Sequence, residues 1–96
     1  MQENLLKENK RILNKQKEEY NVMLIQSIIG TYKKIEVARK NYEFAEGELI
    51  DYYLYEIKAN QAKLNYLIKK SKQNGIELDR IKNIKLINLE ADQVIG

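Results

Sequence analysis

From Val22 to Ala45, apolar and small residues recur at alternating spacings of four and three: Leu24, Ile28, Thr31, Ile35, Ala38, Tyr42 and Ala45. An α-helix turns once in about 3.6 residues, so this spacing keeps all seven on one face and predicts an amphipathic helix. A second series in a new phase runs Ile50, Leu54, Ile57, Gln61, Leu64 and Ile68, widened by Tyr53 and Leu67. It predicts another helix over residues 48–73. Gly47 stands between the two series, where a short turn joining antiparallel helices is needed. Asn74-Gly75 supplies a stop signal, with glycine in the left-handed conformation and Ile76 folding back as the hydrophobic contact of a Schellman ending. Gly30 lies off the first stripe and costs about 1 kcal/mol against alanine in a helix. It marks either close packing or a tolerated loss.

The two flanks are less regular. Leu6, Asn9, Leu13, Gln16, Tyr20 and Met23 keep the three-four spacing, but alternate members up to Gln16 are polar, a dilute heptad. Residues 1–21 therefore read either as a polar arm that frays or as an extension of the first helix into one rod of roughly 60 Å, at about 1.5 Å per residue. After Gly75, Leu78, Ile81, Ile84 and Ile87 fit a short third helix with Asp79 as N-cap, whereas Lys85 to Leu89 alternates as a strand would. The organisation expected is an arm (1–21), a helical hairpin (22–76) and a tail or short helix (77–96). The fold class is all-α.

The second predicted helix has another stripe. Tyr52, Tyr55, Ala59, Ala62 and Tyr66 also follow three-four spacing and lie about 120° to 200° around the helix from Ile50. They cannot share the interface with the first helix. Tyrosines alternating with alanines would let another helix approach closely, with the phenol hydroxyls at the wet edge. The cover is the C-terminal segment, the N-terminal arm or another chain, and a homodimer approaching a helical bundle or coiled coil is the expected arrangement. A chain of 96 residues has a modest core, which favours association.

Charge adds polarity to this picture. Residues 41–56 carry Glu43, Glu46, Glu48, Asp51 and Glu56 with no base, while residues 57–85 carry eight bases against Glu77 and Asp79. Acids at a helix start and bases at its end also suit the helix macrodipole. Overall the chain is only mildly basic, with 17 Lys and Arg against 14 Asp and Glu.

Candidate chemistry is sparse. There is no cysteine and no histidine, which excludes disulfides, thiolate nucleophiles, Ser-His-Asp triads and histidine-based zinc or di-iron sites. Carboxylates clustered as they are around Gly47 can bind a divalent cation, but their place at a helix start already accounts for them. No glycine-rich loop has phosphate-cradle spacing. No cofactor is expected, and the chain reads as non-enzymatic. No apolar run approaches the roughly 18 residues needed to cross a bilayer, so a cytoplasmic protein without membrane contact is expected.

The run from Leu49 to Ile76, LIDYYLYEIKANQAKLNYLIKKSKQNGI, resembles the YaaL family of small bacterial proteins of unknown function. Leu49-Ile50-Asp51, Tyr55-Glu56, Ala59, Tyr66-Leu67, Lys72 and Gly75-Ile76 carry the likeness, joined more weakly by Ala38 and Phe44. Gly47 stands where such sequences often have proline, and Leu64 where an aromatic is common. The resemblance implies a bacterial cytosolic helical protein, and brings no catalytic residue with it.

The functional expectation is a non-catalytic interaction or structural module that self-associates through Tyr52, Tyr55, Ala59, Ala62 and Tyr66. The rival is weak, sequence-independent nucleic-acid binding through Lys63, Lys69, Lys70, Lys72, Arg80 and Lys82, whose counterion release would make affinity salt-sensitive. Against the rival, arginine is scarce, limited to Arg11, Arg39 and Arg80, and no helix-turn-helix or RNA-recognition signature is present.

Overall fold

The computed structural model describes residues 2–77, 79–80 and 83, with side chains from Asn4 onward. Two helices account for nearly all of it. Helix α1 spans Gln2–Glu43, 42 residues, and α2 spans Glu48–Gln73, 26 residues. They pack against each other as an antiparallel hairpin, in a molecule 69 Å long and 28 by 18 Å across. No strand occurs among the described residues.

The turn forms where the stripes change phase. Phe44 N–H donates to the Asn41 carbonyl and Ala45 N–H to that of Tyr42, both at 3.2 Å, which tightens the end of α1. Gly47 then takes φ 59° and ψ −130°, a backbone conformation that residues with a Cβ rarely adopt. Its carbonyl receives the Ile50 N–H at 3.2 Å, starting α2. Glycine offers no side-chain cap, so the partial positive charge of the helix start is met by Glu48 and Asp51 in the first turn.

The far end of α2 closes as a Schellman motif. Ile76 N–H donates to the Ser71 carbonyl at 3.0 Å and Gly75 N–H to the Lys72 carbonyl at 3.1 Å, with Gly75 at φ 80°. This reversal carries Ile76 into the core beside Leu24, Ile28, Ile35, Leu64 and Leu67. Tyr20, Ile25, Tyr32 and Ile68 pack around the edge.

On α1 the buried residues are Leu24, Ile28, Thr31, Ile35 and Ala38, five consecutive members of the stripe. Tyr42 is 40% exposed near the turn, so the stripe opens to solvent there. On α2 the covered face is rotated by about 60° from the apolar series, at about 100° per residue. It runs Tyr53, Ile57, Asn60, Leu64, Leu67 and Ser71, while Ile50 and Gln61 of the expected series are exposed. Polar Asn60 and Ser71 fit inside because each satisfies a donor on its own helix. Asn60 Nδ2 donates to the Glu56 carbonyl at 2.9 Å, and Ser71 Oγ to the Leu67 carbonyl at 2.8 Å. Gly30 has open space where a Cβ would stand, so it marks no close approach.

The N-terminal segment is part of α1, and the helix runs on without a break through residues 2–21. Every described side chain from Asn4 to Glu19 is exposed. Antiparallel counting from the turn explains this, because α2 ends opposite the region of Tyr20. Beyond Gly75, Asp79, Arg80 and Asn83 have helical backbone. The remaining positions of the expected third helix, Leu78, Ile81, Ile84 and Ile87, and the strand-like run 85–89 lie outside the described residues.

Candidate interaction surface

The hairpin uses one side of α2 and leaves the other bare. Tyr52, Tyr55 and Tyr66 are 52%, 71% and 61% exposed, and Ala59 and Ala62 are exposed beside them. The structure thus brings the five residues together on one surface, and no described segment covers it. Their common face follows from regular helical spacing through residues 48–73. Its direction follows from burial of Leu64 and Leu67 against α1, which turns the tyrosines outward.

Tyr52 anchors one edge of this face. Its hydroxyl donates to Glu56 Oε1 at 3.0 Å, one helical turn away, and its ring meets Tyr53 edge-on with centroids 5.1 Å apart. The hydrogen bond to the Glu56 carboxylate, which favours the protonated phenol, raises the Tyr52 pKa above the ordinary tyrosine value. Charge flanks the face in order along α2. Glu48, Asp51 and Glu56 border the tyrosines toward the turn, and Lys63, Lys69 and Lys70 border them toward the far end.

The bases considered for nucleic acid do not form one stripe. Lys63, Lys69 and Lys70 flank the tyrosine face, but Lys72 projects from α2 about 120° from its centre, at about 100° per residue. Lys63, Lys69, Lys72 and Arg80 are exposed, Lys70 is half-buried, and Lys82 lies outside the described residues. Among the described residues the ion pair present is Arg39 to Glu36, at 3.2 Å on α1, so Lys63, Lys69, Lys70, Lys72 and Arg80 have no carboxylate partner there.

Two open grooves also occur among the described residues. One, of about 430 Å³, is lined by Lys33, Lys34, Val37, Glu56 and Asn60 where the helices meet. The other, of about 310 Å³, lies between Arg80 and the α1 residues Glu18, Asn21 and Val22. Asn21 Oδ1 is buried there without a hydrogen-bond partner among the described residues. Carboxylates do not gather into a metal-binding group among the described residues. No helix there is long and apolar enough to cross a membrane.

A further exposed apolar patch includes residues outside both stripes. Phe44 is 84% exposed and Leu49 53%, beside Tyr42 and Ile50 at the turn. An aromatic residue placed between two amphipathic series was the available signal. No protein-family model, no curated protein and no solved structure matches the chain.

Proposed function

We propose that this protein is a non-catalytic helical interaction module that associates with itself through the outer face of α2. One observation carries the reading: three tyrosines and two alanines are exposed together on a helix whose other side is already packed. An exposed apolar surface of this kind with a charged border is the anatomy of a protein interface. Two small side chains, Ala59 and Ala62, set between large ones suit helix-on-helix packing. The resemblance to the YaaL family brings no activity, so the reading rests on this surface.

Sedimentation equilibrium across micromolar concentrations tests it. The expected result is a reversible dimer in the native chain, with Tyr55→Glu and Ala59→Glu shifting it to monomer while far-ultraviolet circular dichroism stays helical. A native chain that sediments as a monomer throughout the range removes the proposal. The second reading, nucleic-acid binding, is favoured by Lys63, Lys69, Lys72 and Arg80, exposed bases without a carboxylate partner among the described residues. Titration of labelled DNA and RNA at rising salt separates the two, since phosphate contacts weaken steeply with salt. Absence of binding at low salt eliminates it.

A further inference from the structure

We infer that the occupant of the outer face of α2 is a second copy of this chain lying antiparallel to the first, with the twofold axis near Ala59. This rests on the self-association proposed above and adds its register.

The outer positions of the face are symmetric about that alanine, and Tyr55, four residues before it, falls within one residue of the mirror position of Ala62, three residues after it. Tyr52 and Tyr66 stand seven residues to either side, two helical turns, so each meets the other across an antiparallel contact. Ala59 meets its own copy at the axis, where a small side chain allows the closest approach of the two backbones. The charges follow the same symmetry. Glu48 comes opposite Lys70 of the second copy, Asp51 opposite Lys69, and Glu56 opposite Lys63, each base within about two residues of the mirror position of its acid. Asp51 and Lys69 flank the face on one side and Glu56 and Lys63 on the other, as a twofold axis running across the contact, perpendicular to both helices, requires. The axis repeats each pair. An isologous interface requires a surface complementary to itself, and this one is acidic at one end and basic at the other.

Parallel alignment reverses that advantage. It sets Glu48 and Asp51 against their own copies and Lys69 and Lys70 against theirs, and like charges at close range select against it. Lys58 is the base that approaches its own copy in the antiparallel arrangement. Like Glu56 on the opposite side, it lies about 80° from the centre of the face, at about 100° per residue, so water screens this like-charge contact as it screens the Glu56 pair.

The chain has no cysteine, so single engineered thiols report the register directly. Under mild oxidation Ala59→Cys should cross-link to itself, because a disulfide needs Cα atoms within about 7 Å. Tyr52→Cys alone and Tyr66→Cys alone should not, while an equal mixture of the two should cross-link to each other. Charge gives an independent readout in the intact chain. The double variant Glu48→Lys with Asp51→Lys should weaken association about tenfold, and adding Lys69→Glu with Lys70→Glu should restore it.

Equally efficient self-cross-linking by Tyr52→Cys, Ala59→Cys and Tyr66→Cys would mark a parallel dimer, which overturns the register and leaves the face intact. Dimers that none of these thiols cross-links and that Tyr55→Glu does not disturb would use another surface, and a native chain that stays monomeric has no dimer to align. Both of those results overturn the proposed function together with the register.

Discussion

The two halves of α1 contain similar aliphatic residues and meet different fates. Ile28 is fully buried and Ile35 is 2% exposed, whereas Ile12 and Leu13 on the same helix are 54% and 64% exposed. Both halves are helical and both keep three-four spacing, so periodicity does not separate them. The length of the neighbouring helix does. With 26 residues against 42, α2 covers one half of α1 and stops. An apolar stripe predicts which side of a helix is suited to burial, and the reach of the partner decides how much of it is buried.

Truncating one aliphatic side chain in each half should give the widest contrast in stability. Ile28→Ala should destabilise the hairpin by about 2 to 5 kcal/mol through lost burial and a residual cavity. Leu13→Ala should change stability by no more than about 0.5 kcal/mol, because that side chain is already mostly in water. Urea unfolding followed by circular dichroism at low protein concentration measures both. Equal effects would mean that the arm has a partner in solution.

The turn offers the next largest effect. Gly47→Ala should cost about 1 to 3 kcal/mol, since φ of 59° with ψ of −130° is strained for any residue with a Cβ. The same unfolding measurement reads the loss. Hydrogen exchange should then show faster exchange in residues 24–38 and no change in residues 4–19, which lie beyond the reach of α2. A smaller change of opposite sign is expected at Gly30, where the added methyl group enters open space. Gly30→Ala should stabilise the covered half by about 0.5 to 1 kcal/mol. A loss of stability at this site would mean that the helix is approached more closely than its surroundings indicate.

The smallest effect belongs to a bare surface, where interactions are local. Tyr52 should ionise above the ordinary tyrosine range, and Glu56→Gln should bring it back toward that range by removing the carboxylate that accepts its hydroxyl. Any stabilisation linked to this raised value is present below the unfolded-state pKa and fades as pH rises through the folded-state value. Carbon-13 labelled tyrosine resonances followed against pH resolve Tyr52 from the other six tyrosines. An unchanged titration in the variant would show that the hydrogen bond does not persist in solution.

Much of the hairpin was legible in the order of residues. Glycine before the second series and Asn74-Gly75 after it are local signals with local causes, so the turn and the Schellman ending follow from them directly. The core of α1 was equally plain. The covered face of α2 was harder to place, because Asn60 and Ser71 count as polar by type yet bond to carbonyls on their own helix. The tyrosine-alanine face was visible as a stripe, and its exposure became clear only when the hairpin was assembled. Phe44 was missed because a turn has no period to read, and Leu49, in the first turn of α2, because it lies off the apolar series expected there.

Local backbone preferences and side-chain periodicity were enough to specify two helices, where they part and how the second one ends, since each depends on residues within a few positions of one another. Which side of α2 turns inward, how far α1 is covered and what remains bare depend on packing between segments distant in the chain. Those outcomes are set by helix lengths and by shape complementarity across the hairpin, quantities that no single window of sequence contains.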